Sequence, residues 1–331
     1  MRALVVAAWL SLAAIGPVVA QKAEPAAPLS TQASPPDPAK IDLAFAAYQR
    51  GRYMTALREA MLRLDANKTD APAMTLIGEI YAQGLGVRLD TAEAARWYKL
   101  AANLKNREAA FALGMLTLLG KGVPKDRAGA KTLLEAAAAQ GHAGALYNLG
   151  VMAIEGDGDA NPPDFAAAAE RFQKAVDLGE PDAAYSLAIL TREGKGVIGS
   201  PARAADLLAM AAREKSTAAQ VELAIMLFNG DEPAHDGLPA KKGSGVPKDE
   251  AAAAKLFLSA ALRGSPIAQN RIARLMAAGR GIKEDKLEAS KWHILARAAG
   301  IADDYLDGVL NGLTPEEKAK VEAAVQRATG G

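Results

Sequence analysis

An all-α solenoid of stacked helix-turn-helix repeats is predicted by three observations. First, a Gly-x-Gly element recurs: GLG at Gly84–Gly86, GKG at Gly120–Gly122, GDG at Gly156–Gly158, GKG at Gly194–Gly196 and GRG at Gly279–Gly281. The first three steps are 36, 36 and 38 residues, the self-similarity expected of a repeat architecture. Second, eight residues after the second glycine, with two more in the GDG copy, stand Ala94, Ala130, Ala168, Ala204, Ala253 and Ala289. Seven further on come Ala101, Ala137, Ala175, Ala211, Ala260 and Ala296. Third, Ala73, Ala109, Ala145, Ala183, Ala219 and Ala268 are each followed four residues later by Ile or Leu, from Ile77 to Ile272. Spacings of four and seven place such residues on one helical face.

Each unit therefore reads as two helices joined by a glycine-containing turn. The first carries Ala-x-x-x-Leu-Gly, and the second Ala-x-x-Trp-Tyr-x-x-Ala in its fullest form, with Ala94, Trp97, Tyr98 and Ala101. Glycine ends the first helix because it tolerates the left-handed conformation. Pro124 and Pro247 cannot extend it, and Asp90, Asp126 and Asp249 are placed to cap the second helix. Alanines let the helices approach, larger residues fill the gaps, and no hairpin can bury its apolar face alone, so the units must stack.

In chain order, Met1–Ala20 combines Arg2, an apolar run from Ala3 to Ile15 and the small-residue site Val18-Val19-Ala20. This is the pattern of a cleavable secretory signal, with the mature chain beginning at Gln21. Residues 21–40 form a Pro/Ala-rich linker with too little apolar bulk to offset ordering. Ile41–Asp70 reads as one further capping hairpin. Six repeats then occupy 71–300, the fifth split between Gly230 and Gly245 by the insertion Asp231–Gly243. That insertion is a partner-contacting loop or a solvated excursion. Residues 301–331 hold C-terminal capping helices and a tail; Thr314-Pro315-Glu316-Glu317 has the residues of a capping box.

Composition excludes several roles. Setting Arg2 aside, 39 Lys and Arg become equal to the 38 Asp and Glu, so no net field attracts nucleic acid. The chain has no cysteine, hence no disulfide staple and no thiol nucleophile, and it suits an oxidising compartment. No segment approaches the ~20 apolar residues of a permanent membrane span. The expected location is the periplasm.

The stretch AMTLIGEIYAQGLGVRLDTAEAARWYKLAA at 73–102 resembles the Sel-one-like repeat, a branch of the tetratricopeptide superfamily. The resemblance extends over six units, and Ile41–Asp70 looks like an ordinary tetratricopeptide hairpin. It implies a right-handed superhelix whose concave side, lined by the first helices, holds a protein or peptide. It also implies an adaptor or regulator role, some secreted relatives acting on periplasmic domains of sensor kinases, and no cofactor. Several secreted relatives brace each repeat with a disulfide, which this chain cannot do.

The rival motifs are weaker. GKGVIG at Gly194–Gly199 matches a dinucleotide fingerprint, but that mechanism needs a strand leading into the glycines, and SLAILTRE before them reads as helix. Asp157, Asp159 and Asn161 imitate a calcium loop that Pro162 and Ala168 spoil. His142, His235 and His293 lie in different units and give a metal or Ser/His/Asp site little support; His142 reads as a turn residue and His293 as a packed substitute for an aromatic. The rivals to an adaptor are a cell-envelope hydrolase using carboxylates such as Glu79 and Glu193, and a structural spacer.

On the first helices, the residue two after each signature alanine gives Thr75, Phe111, Tyr147, Tyr185, Val221 and Asn270. One turn on come Glu79, Met115, Val151, Ile189, Ile225 and Arg274. The central candidates for a protein-binding strip are Phe111, Met115, Tyr147, Val151, Tyr185, Ile189, Val221 and Ile225. The same pattern would arise if these side chains pack between hairpins.

Overall fold

A computed structural model of the protein describes residues 42–157, 162–231 and 243–330. The expected signal and linker, residues 158–161 of the calcium-like stretch and residues 232–242 of the insertion, His235 among them, lie outside the described residues. The chain divides into Met1–Asp42 and a second unit, Leu43–Gly331.

Sixteen helices run through the described residues. The first hairpin, α1 (Leu43–Gln49) and α2 (Tyr53–Ala66), turns at Gly51. Six pairs follow: α3 (Ala71–Gln83) with α4 (Thr91–Asn103), α5 (Arg107–Leu119) with α6 (Arg127–Ala138), and α7 (Ala143–Glu155) with α8 (Phe165–Asp177). Then come α9 (Pro181–Glu193) with α10 (Pro201–Arg213), α11 (Thr217–Phe228) with α12 (Glu250–Leu262), and α13 (Pro266–Ala278) with α14 (Lys286–Ala298). Helices α15 (Asp304–Asn311) and α16 (Pro315–Thr329) close the C-terminal end. Successive helices from α1 to α15 pack on one another and α16 packs back on α14, the nearest-neighbour pattern of an α-solenoid. Pairing of strand type among the described residues is one isolated bridge, Asp231 to Pro247.

From α3 onward each helix start is capped by a side-chain acceptor. Asp90, Asp126 and Asp249 cap the second helices as expected, and Thr314 with Glu317 forms the capping box. The first helices use Asp70, Asn106, His142, Glu180, Ser216 and Ser265, so His142 does more than turn the chain. Its Nδ1 accepts from the Ala145 N–H at 3.1 Å.

The glycines separate into two roles. The first of each pair, as at Gly194, ends its helix with a left-handed φ. The second adds a close approach: a Cβ on Gly196, at φ +71°, would lie 2.2 Å from the backbone of Phe165, the first residue of the preceding second helix. Gly122 meets Thr91 and Gly281 meets Glu250 in the same way. Gly-x-Gly thus seats one hairpin on the last. Since α9 leads into Gly194 as a helix, GKGVIG lacks the strand that a dinucleotide site needs.

All the signature alanines have 0% exposure. In three hairpins a glycine of the first helix faces a large side chain of the second, Leu134 lying over Gly114 in one of them. Tyr98, 2% exposed, lies over Gly78, and Phe172, 0% exposed, over Gly150. At the base of the insertion, Asp231 Oδ1 accepts from the N–H groups of Gly243 and Gly245 at 2.6 and 3.1 Å.

Candidate binding face on the first helices

The first-helix strip follows from the periodicity, yet its side chains are only half-exposed. Phe111, Met115, Tyr147, Val151, Tyr185, Ile189 and Ile225 are all half-buried. Phe111 stacks on the imidazole of His142 with centroids 4.1 Å apart and planes at 22°, joining the α5 hairpin to the start of α7. Tyr147 tilts against Phe172 at 5.7 Å. Burial, with Asp182 adding to it, pushes the Tyr147 hydroxyl up; burial and then Glu222 do the same for Tyr185. Both rings stay neutral and offer an edge and a hydroxyl. Half of each ring thus belongs to the inter-hairpin packing and half to the surface.

Val221 departs from expectation: it is 7% exposed and sits in the core cluster with Ala224, Ala254 and Phe257. Its short β-branched side chain ends inside that cluster, where the longer rings of earlier units reach the face. The strip is therefore broken at α11 and resumes with Ile225.

The flanks are polar and tied down. Thr75 Oγ1 donates to the Ala71 carbonyl at 2.8 Å, and Glu79 accepts from the buried Tyr98 hydroxyl at 2.7 Å. Glu193 instead pairs with Lys195 at 2.7 Å. The two carboxylates proposed for hydrolysis, on α3 and α9, thus have separate partners, Tyr98 of α4 and Lys195 in the turn after α9. At the other end, Asp303 accepts from Asn270 at 2.7 Å and from Arg274 Nε and Nη2 at 2.5 and 2.8 Å. Burial alone raises the Asp303 pKa, but hydrogen bonds from Arg274, Asn270 and the Leu306 N–H outweigh it and bring it down to about 2.

Two features had no sequence signal. His293 is fully buried, as expected of an aromatic substitute, but its Nε2 also meets Asp307 Oδ1 of α15 at 2.8 Å. Ser290 lies one turn away at 1% exposure. These are the residue types of a hydrolytic triad, but burial denies them a substrate, and the pair serves to hold α15 on α14. The second feature is a cavity of about 370 Å³ where the strip ends, lined by Ile225, Phe228, Arg271, Arg274, Arg280 and Tyr305 among others. Among the described residues no cluster of three or more metal-ligating side chains occurs, and no helix is long and apolar enough to cross a membrane.

Hairpins that stack through alanine and glycine and present their first helices on one face define a helical-repeat scaffold of the tetratricopeptide-like class. The chain belongs to the Sel1 repeat family, matched at residues 71–106, 107–142, 143–180, 181–216, 217–239, 240–265 and 266–301. The fifth and sixth matches are α11 and α12, the two halves of the hairpin that the insertion separates. Among solved structures, a Sel1 repeat protein from Oxalobacter formigenes is similar at 27% identity, with 77% of this chain and 98% of that one covered and a TM-score of 0.65. A protective antigen present in uropathogenic Escherichia coli strains shares the fold at 23% identity, covering 86% of this chain and 67% of that one, with a TM-score of 0.52. No curated protein matches. Sel1 repeat proteins are generally protein-interaction scaffolds and typically non-catalytic.

Proposed function

We propose that this chain is a periplasmic adaptor or regulator that binds a protein or peptide along its first-helix face, without catalysis. The observation that carries the reading is the row of half-exposed side chains, Phe111, Met115, Tyr147, Val151, Tyr185 and Ile189, repeated at equivalent positions of three successive hairpins. Aromatic anchors set in a fixed framework supply affinity at low entropic cost, and the capped, glycine-seated hairpins are such a framework. The periplasmic part rests on the Met1–Ala20 pattern and the absence of cysteine. A sensor kinase's periplasmic domain is one partner of the right kind.

The test is crosslinking in living cells, followed by purification of the tagged chain and mass spectrometry. The expected result is a mature N-terminus at Gln21 and reproducible enrichment of an envelope protein. An intact Met1 in the cytosol removes the location, and the absence of any enriched partner favours a passive spacer.

A further inference from the structure

The cavity at the C-terminal end of the strip combines two chemistries within one side chain's reach. Its apolar walls are Ile225 and Phe228 of α11, Leu275 of α13 and Tyr305 of α15. Its cations are Arg271 and Arg274, one turn apart on α13, and Arg280 from the following turn. The Arg280 guanidinium lies over the Phe228 ring, 4.3 Å from its centroid, and that of Arg274 5.6 Å from the Tyr305 centroid, so the cations are held on the walls.

Two of the three cations have carboxylate partners. Arg274 is matched by Asp303 and Arg280 by Glu250. Arg271 is exposed and, among the described residues, has neither a hydrogen bond nor an ion pair. Arg271 therefore brings to the cavity a guanidinium that no described carboxylate matches. Guanidinium is weakly hydrated and suited to binding a carboxylate beside apolar surface. About 370 Å³ exceeds what one carboxylate fills, and the remaining walls are aromatic and aliphatic.

We propose that this cavity, with Arg271, Arg274 and Arg280 around Ile225, Phe228 and Tyr305, takes an acidic side chain of a bound peptide together with an adjoining apolar residue. The inference rests on the protein-binding reading of the strip and adds the chemistry of the partner: one carboxylate, side by side with an apolar group. Arg271 supplies the unmatched charge. Arg274 and Arg280, each held by its own carboxylate, line the rim.

Three fluorescently labelled peptides test it on the full mature chain by anisotropy: a C-terminally amidated peptide of alternating Glu and Leu, its Gln–Leu counterpart, and the Gln–Leu peptide with a free C-terminal carboxylate. The Glu–Leu peptide is expected to bind about tenfold more tightly than the amidated Gln–Leu peptide, the scale of one charge-assisted contact. Arg271→Glu abolishes that ratio without moving the melting temperature, because Arg271 is exposed and unpaired, and the remote Arg88→Glu leaves the ratio intact. Equal affinities, no binding by either amidated peptide, or a ratio insensitive to Arg271→Glu overturns the assignment. Tightest binding by the free-acid Gln–Leu peptide also overturns it and gives the cavity to a chain terminus. Equal affinities for the unaltered chain alongside intact partner crosslinking remove the cavity's role only, whereas absence of any crosslinked partner removes the strip.

Discussion

Asp303 concentrates much of the chain's residue-scale chemistry. Its side chain caps α15, accepts from Asn270 and is clamped by Arg274, so one carboxylate joins the last full repeat to the C-terminal cap. Its pKa falls from an unfolded value of about 3.9 to about 2 in the fold. A lowered pKa stabilises the fold fully above the unfolded value, and the contribution disappears as pH drops through the folded one. The stability gap between the natural chain and Asp303→Asn should therefore be flat from pH 7 to 5 and close by on the order of 2 kcal/mol between pH 4 and 2. Urea unfolding across that range measures it, and a gap independent of pH would show that the carboxylate's charge is not what matters. Sequence makes the caps legible wherever Asp precedes a periodic run, as at Asp90. It does not reveal His142 stacked on Phe111 or His293 paired with Asp307, because such pairs join residues 31 and 14 apart that no helical period relates.

At the element scale the hairpins are held by size complementarity. A Cβ on Gly150 would lie 2.5 Å from the Phe172 ring, and both partners lie in the buried interface of α7 and α8. Gly150→Ala gains helix propensity of roughly 1 kcal/mol but must displace a ring that has no free space. Overpacking of this kind costs about 1–3 kcal/mol. A lower melting temperature for Gly150→Ala, rescued when Phe172→Leu is added, is expected; a stabilised single variant would mean that the ring yields freely. The signature Leu-Gly was readable in the sequence, but which ring covers which glycine became readable only with the hairpin closed. Of the capping helices expected over 301–331, only the start of α16 is marked in the sequence, because α15 is eight residues long and carries none of the alanine signature. Periodicity left two readings of the strip open, a binding face or packing between hairpins, and the observed half-burial lies between them, since a helical face looks the same whether it meets a neighbouring hairpin or solvent.

For the whole molecule, stacking converts a 36-residue period into one first-helix face, and that face, interrupted at Val221, ends at the arginine-lined cavity. The cavity was not legible, because it needs Phe228, Arg274 and Tyr305 from three helices brought together across the insertion. The central claim is that this face, rather than the outer one formed by the second helices, meets the partner. A photo-crosslinking amino acid placed singly at Met115, Val151, Ile189 and Ile225, and for comparison at the exposed second-helix positions Arg96, Lys131 and Glu170, tests it most directly in cells producing the full chain. One common adduct is expected at the strip positions and none at the outer ones, with melting temperatures unchanged throughout. Adducts confined to the outer positions, or spread equally over both faces, would contradict it.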